Sequence, residues 1–402
     1  MPLKRLVDSA RPITYGIVQA GEDVVDGVPY IRPVDMDGHR GVNPSALRTT
    51  SADVAAAYAR SSLKPGDVVV SIGPSFGKTM VVPKELDGAN LTQGTARVAV
   101  RPGLCTRYVV WALQSQTSVD FWESSIGGAT FRALNLGPLA ETPIPLPARD
   151  EQRAIADYLD RETARIDTLM DEQQRLIAML RERRAAVIST ALTPTDSWLR
   201  RRIKHIGETS LGKMLDAGRA VRPGDELRPY VRAADVRADG SVNLVDLNQM
   251  PFSEAEMEAF DLRSGDVLLI EGGATVGRPG FMFESAPGVA FQKTVNRLRV
   301  GHQADARFVY WSMLRLYELA YYANHYGSVS FVHLTGEKLR EIELSLPSVD
   351  EQRVIAAHLD EQTAKIDALI AETERFIELA RERRSALITA AVTGELDVRE
   401  VA

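Results

Sequence analysis

A single cysteine, Cys105, occurs in 402 residues. One chain can therefore build neither a disulfide framework nor a cysteine-based zinc site, and such sparing usage suits a reducing compartment. Long apolar runs are missing as well. None approaches the length that crosses a bilayer, and the opening MPLKRLVDSARPITYG lacks the apolar core of a signal peptide. These two absences predict a cytoplasmic protein with no membrane contact. An excess of positive charge is also lacking. Lys and Arg number 48 against 54 Asp and Glu, for a net charge of −6. Bulk charge thus announces no nucleic acid, and any such binding has to come from local basic loops or from a partner. The six histidines, His302, His325, His333 and His358 among them, show no metal-ligand spacing. No Ser-His-Asp or Cys-His arrangement stands out. Asn43-Pro44-Ser45 is not the Asn-Pro-Pro-aromatic run with which a methyltransferase holds a flipped base, and no glycine-rich cofactor loop follows a first strand. Together these absences predict a chain that is not itself an enzyme.

One motif comes close to chemistry, Gly73-Pro74-Ser75-Phe76-Gly77-Lys78-Thr79. A phosphate-binding loop has four residues between its glycines and opens a helix. Here three residues intervene, and the strand-like Met80-Val81-Val82 leads to Pro83. In the related stretch from Gly273 to Gly277, the Lys-Thr pair after the second glycine is replaced by Arg278-Pro279. The reading favoured is a turn between two strands, with a basic side chain at its tip available to a DNA phosphate or base.

What the sequence does contain is a long helix, twice. From Leu146 to Thr193 there is no Pro or Gly after Pro147, and apolar residues recur at three- and four-residue steps through Ile155, Leu159, Ile166 and Ile177. Pro194 ends the pattern, because proline cannot continue the backbone ladder. About 40 residues at 1.5 Å each make a rod of roughly 60 Å, which needs a partner for its apolar seam. The partner lies in the same chain, from Leu346 to Thr393, with its seam at Ile355, Leu359, Ile366 and Ile377. DEQR begins at Asp150 and at Asp350, and RERR at Arg181 and at Arg381, an offset of 200 both times. About half of the aligned helix positions are identical, so the chain is a tandem repeat. Gln173, Arg184, Thr373 and Arg384 interrupt the seam, where polar residues fix register and orientation. The remaining arginines of the two RERR clusters read as helix-dipole stabilisers or subunit contacts.

The expected fold class is α+β: two globular domains with mixed or antiparallel sheets, separated and followed by two long helices packed as an antiparallel coiled coil. The expected division is 1–146, a first helix at 147–193, a second domain at 194–346, a second helix at 347–396 and a tail at 397–402. Within the domains, Tyr30-Ile31-Arg32 with Asp35 answers Tyr230-Val231-Arg232 with Asp235, and Arg97, Trp111 and Phe131 answer Arg297, Trp311 and Phe331. Loop contents differ: His325, Ser330 and His333 face Ser125, Thr130 and Ala133. A shared frame with divergent loops fits two readers of two targets, and it fits neutral drift after duplication equally well.

The order of variable half, Leu-Pro-x-x-x-Glu-Gln-Arg-x-Ile at 146–155, long helix, and the same plan again to Val392-Thr393-Gly394-Glu395-Leu396, resembles the specificity subunit of type I restriction–modification systems. The resemblance covers essentially the whole chain, and the paired Glu-Gln helices are its most specific part. It implies that 1–146 and 197–346 are target recognition domains, each reading one half of a bipartite double-stranded DNA target. It implies that the helices act as a ruler between the halves and seat two modification subunits. It further implies that S-adenosylmethionine, ATP, methylation, translocation and cleavage belong to modification and restriction subunits rather than to this chain. One departure stands out: Ser197-Trp198-Leu199, typical of the family at that boundary, would have its counterpart before Met1, so either the true start lies upstream or this edge is missing.

Sequence reading needs donors at base edges. The candidates are Arg32, Lys78, Thr79 and Arg132 in the first domain and Arg232, Thr275, Arg278, Lys293 and His333 in the second. Each is also readable as an ordinary exposed loop residue. Two alternatives stay open at this point, a coiled-coil protein-binding adaptor without DNA binding and a stand-alone DNA-binding module.

Overall fold

The first long helix runs unbroken over Arg149–Ala191 and the second over Val349–Thr393. Neither contains a Pro or Gly, and the second stops at Gly394, whose φ of +82° belongs to the left-handed region that closes helices. Ile155, Leu159, Ile166, Ile177, Leu359, Ile366 and Ile377 are buried, and Ile355 is half-buried. The computed structural model describes residues 1–38, 41–73, 75–126, 133–214, 224–326 and 333–400. It divides into two units, Met1–Gln174 with Glu374–Ala402, and Arg175–Thr373. Each long helix begins in one unit and ends in the other. Among the described residues no helix is long and apolar enough to cross a membrane.

In the first unit, the strands are β1 (Thr14–Tyr15), β2 (Val28–Ile31), β3 (Thr49–Thr50), β4 (Val68–Ser71), β5 (Thr79–Val81), β6 (Asn90–Leu91) and β7 (Thr95–Val98). They form an antiparallel sheet in the order β1-β7-β4-β5 and a smaller mixed sheet β3-β2-β6, in which β2 and β6 run parallel. All of β4 is buried because both of its faces are covered. Side chains alternate along a strand. Val68 and Val70 therefore join a core with the helices Thr106–Gln114 and Gln116–Ile126, while Val69 joins a second core with Ile31 and Met80. The first of these cores also takes Ile155 and Leu159 from the start of the first long helix, and Ile388 and Val392 from the end of the second.

The second unit repeats the plan with β8 (Leu199–Arg202), β9 (Gly207–Leu211), β10 (Glu226–Val231), β11 (Asn248–Phe252), β12 (Asp266–Ile270), β13 (Pro279–Phe281), β14 (Ala290–Phe291), β15 (Val295–Val300) and β16 (Glu343–Leu346). The sheets are β13-β12-β15-β9, β11-β10-β14 and the pair β16-β8. Strand β12 splits its side chains as β4 does: Val267 and Leu269 face one core, Leu268 and Ile270 the other. At the place of the β16-β8 pair, the first unit has a bridge between Pro2 and Pro143 and a bond from the Leu3 N–H to the Thr142 carbonyl.

The repeated Gln of DEQR has a visible task. The Gln152 carbonyl oxygen accepts from the Cys105 N–H at 3.0 Å and its amide donates to the Pro147 carbonyl at 2.9 Å. Gln352 does the same for the Asp305 N–H, at 2.8 Å, and the Pro347 carbonyl, at 2.9 Å. A buried amide thus ties the start of each long helix to the start of a domain helix, Thr106–Gln114 or Ala306–Glu318.

Candidate nucleic-acid interface

In each unit one hairpin loop leaves the buried central strand: residues 72–78 join β4 to β5, and residues 271–278 join β12 to β13. Both loops turn at a glycine, Gly77 with φ +95° and Gly277 with φ +78°. Each loop leads into a strand rather than a helix, so it lacks the helix N-terminus on which a phosphate-binding loop is built. It closes against an aromatic ring. A Cβ on Gly77 would lie 3.5 Å from Trp122, and one on Gly277 would lie 2.2 Å from Tyr322.

Beside each loop lies a tight turn that starts with an arginine. The Arg32 N–H and Nε donate to the Asp35 carboxylate at 2.8 and 2.9 Å, and Nη2 donates at 2.6 Å. Arg232 donates to Asp235 from its N–H at 2.8 Å and from Nε at 3.2 Å. These bonds raise both guanidinium pKa values above the ordinary range, so both groups stay charged. Each side chain is about a third exposed, Arg32 32% and Arg232 36%, so charge is held at the surface in a fixed direction.

The basic residue after each turn glycine reaches back to this arginine turn. The Lys78 ammonium donates to the carbonyls of Met36 at 2.7 Å and Pro33 at 3.2 Å. Arg278 reaches the Val236 carbonyl at a long 3.5 Å. Lys78 therefore pins two loops together, whereas Arg278 makes only this long bond among the described residues, which leaves most of its five donors unused there. Thr79 is buried in β5 and accepts from the Gln114 amide at 2.8 Å. Thr275 is half-buried and its carbonyl accepts from the Arg278 N–H within the turn. Lys293 is exposed. His333 is exposed beside Glu271, with Nδ1 3.1 Å from both carboxylate oxygens, and a Cβ on Gly272 would come within 2.9 Å of it. Arg132 and Ser330 lie outside the described residues.

In the second unit, then, the hairpin loop, the arginine turn and the segment at His333 meet at one edge, since Gly272 bridges to His333 and the Leu334 N–H donates to the Glu271 carbonyl at 2.7 Å. The first unit has the same meeting: the Leu134 N–H donates to the Ile72 carbonyl at 2.9 Å. Cationic donors held on short, glycine-bent loops at one edge of a domain can contact phosphates and base edges. Residues 18–177 and 195–378 each match the type I restriction modification DNA specificity domain. The chain belongs to that family.

Over 225 residues this specificity chain is 25% identical to the type I restriction enzyme EcoBI specificity subunit of Escherichia coli, a stretch that makes up 55% of this chain and 47% of that protein. It thus spans about half the length of that curated relative. Among solved structures, one from work on complex assembly and conformational transition of the type I R-M system superposes with a TM-score of 0.77, at 16% identity and over 98% of this chain and 97% of the other. The HsdS subunit from Thermoanaerobacter tengcongensis superposes with a TM-score of 0.52, at 16% identity and over 98% and 96%. At such identities the likeness concerns the fold. Among the described residues of the specificity chain, no group of three His, Cys, Asp or Glu side chains is placed to hold a metal ion.

Sequence reading passed over the residues that join each specificity domain to the helices. Trp111 Nε1 donates to Asp160 at 2.8 Å, and Arg107 bonds Asp157 at 2.6 Å and also Asp160. In the other copy Trp311 Nε1 donates to Asp360 at 2.9 Å and Arg307 bonds the same carboxylate at 2.8 Å. The available signal was the recurrence of Arg-x-x-x-Trp at 107–111 and 307–311 together with Asp160 and Asp360, all at the offset of 200.

Proposed function

We propose that this chain is the DNA sequence-recognition subunit of a type I restriction–modification complex. Each domain reads one half of a bipartite double-stranded target through its hairpin loop and arginine turn. Methylation with S-adenosylmethionine and ATP-driven cleavage are the work of modification and restriction subunits. The observation that carries the reading is the duplication: the same loop-and-turn edge is built twice, and each copy matches a DNA specificity domain. In the second domain we assign DNA contact to Arg278, Lys293, Arg232, Thr275 and His333. In the first we assign it to Arg32 and Arg132, with Lys78 and Thr79 holding the loop they stand on.

Two equivalent docking faces support two modification subunits. Leu169, Leu176 and Met179 are exposed on the first long helix, and Leu369, Phe376 and Leu379 on the second. Steps of seven and three residues place each trio on one face of its helix. Exposed apolar residues grouped in this way mark protein contact. No observation favours an adaptor without DNA or a stand-alone module.

Mapping methylated adenines across the genome, with and without this gene, tests the proposal. The expected result is a split motif with a fixed gap that disappears on deletion, and an unchanged methylation pattern refutes it. Arg278→Ala should weaken or relax one half-site by about 1–3 kcal/mol, the range of a good base contact, and leave the other half intact. Equal loss in both halves would remove Arg278 from the reading surface.

A further inference from the structure

Each specificity domain meets both long helices at one repeated cluster. In the first unit the Trp111 indole donates to Asp160 on the first long helix. Arg384, from the second long helix, lies over the same indole with its guanidinium carbon 5.6 Å from the ring, and its Nε donates to Asp167 at 3.1 Å. Asp160 and Asp167 are seven residues apart and so share a helix face. The second unit builds the same loop with the helices exchanged. Trp311 donates to Asp360, Arg184 lies 6.0 Å over Trp311, and Arg184 Nε donates to Asp367 at 2.9 Å. Every member recurs at the offset of 200.

We propose that Trp111, Asp160, Asp167 and Arg384, with Trp311, Asp360, Asp367 and Arg184, are positioning residues that fix the angle of each recognition domain on the helices and so set the length of the gap the complex accepts. This inference rests on the reading of the chain as a DNA recognition subunit. The surrounding core joins domain to helix through Leu113, Leu159, Ile388 and Val392 on one side and through Leu314, Leu359, Ile188 and Leu192 on the other. Apolar burial is non-directional, so such a core limits the tilt less sharply than directional bonds do, and the Gln152 and Gln352 ties act only at the starts of the long helices. Bonds from an indole N–H and a guanidinium to carboxylates are directional. For a domain about 30 Å across, a tilt of about 10° moves the reading edge by roughly 5 Å, more than one base-pair step of ~3.4 Å. A cluster that removes this freedom therefore decides between adjacent gap lengths.

The test replaces the native gene in its own cells with wild type, Asp360→Ala, Asp360→Asn or Trp311→Phe, and reads methylated adenines genome-wide. Wild type is expected to methylate one gap length. Asp360→Ala should keep both half-site sequences while raising methylation of sites one base pair longer or shorter by about tenfold, the change that follows when a modest orienting free energy is lost. Trp311→Phe keeps an apolar ring, removes the donor, and should broaden the gap in the same direction. Asp360→Asn retains an oxygen acceptor for the indole and should restore the single gap. A cluster that merely stabilised the fold would lower the melting temperature and the total methylation without adding gap lengths. A single unchanged gap in both Asp360→Ala and Trp311→Phe overturns the inference while leaving the DNA-reading function standing. If Asp360→Ala does not accumulate, Trp311→Phe decides alone. If wild type shows no split motif, the functional reading fails first and the inference falls with it.

Discussion

Among the described residues the Tyr322 hydroxyl is buried without a partner, whereas Trp122, at the same place in the other domain, donates its indole N–H to Thr142 Oγ1 at 2.7 Å. The difference lies one step away, since the position of Thr142 is Ile342 in the second copy. A second contrast concerns a buried carboxylate. Asp67 is held by Arg11 from the chain before β1, and its counterpart Asp266 by Arg299 from β15, at 2.6 and 2.8 Å. Both carboxylates also accept the backbone N–H three residues earlier, Lys64 or Arg263. The turn demands a partnered carboxylate and is indifferent to which segment supplies the cation. By contrast, the clusters around Trp111 and Trp311 keep the same Trp, two Asp and Arg in the same bonds. Duplication has thus left the domain–helix joints alike and let the domain interiors diverge wherever an equivalent partner could be found.

The largest expected effect breaks the likeness of the two hairpin loops. Gly77 and Gly277 both have positive φ, where a Cβ costs about 1–2 kcal/mol. Gly277 also has the Tyr322 ring in the way, and crowding of that kind adds about 1–3 kcal/mol. Gly277→Ala should therefore destabilise the second unit by about 3 kcal/mol, and Gly77→Ala the first by about 1 kcal/mol. Hydrogen exchange of the β4–β5 and β12–β13 amides during urea unfolding reads each unit separately. Equal losses would show that the Tyr322 contact is unimportant.

A middling effect sharpens the aromatic contrast. Tyr322→Phe removes an orphaned hydroxyl and should stabilise the second unit by about 1 kcal/mol. Thr142→Val orphans the Trp122 N–H and should cost the first unit about 1–2 kcal/mol. The same exchange measurement applies, and a loss of stability in Tyr322→Phe would mean that its hydroxyl has a partner.

The smallest effect concerns pH. Arg184 meets Glu318 at 3.5 Å, and position 118 in the other copy is a buried serine. Burial pushes the Glu318 carboxyl above its ordinary range, with Arg184 opposing. A raised carboxyl pKa in the folded state means that ionised Glu318 costs stability. The cost is full above the raised pKa and fades as pH falls to the unfolded value of 4.5. Glu318→Gln should be the more stable form at neutral pH, with its advantage shrinking toward pH 4.5 in a pH series of melting curves. An advantage that grows on acidification would reverse the sign and discard this account.

The helices and the duplication were legible because they are local: apolar steps of three and four residues, a stretch free of Pro and Gly, and identical tetrapeptides at a constant offset. Strand β4 was legible as a short apolar run between turn residues. The seam-breaking role of Arg184 and Arg384 was legible too, as polar residues interrupting an apolar seam. Their partners were not. Arg384 sits over Trp111, and no local pattern links residues so far apart in sequence. The pinning of Lys78 to the carbonyls of Pro33 and Met36 was hidden for the same reason, because backbone acceptors leave no trace in residue identity. The parallel pairing of β2 with β6 was also invisible, since each strand is short and its partner is supplied by the fold.

The two units differ in one further way, which concerns synthesis. The second is one continuous stretch, Arg175–Thr373, while the first needs Glu374–Ala402 from the far end of the chain. Ile388, Val392 and Val398 complete a core whose other members begin at Leu3. On the ribosome, where chains emerge N-terminus first, the half made first is thus the half finished last. A chain cut short before Glu374 carries every residue of the second unit and leaves the first with an open core.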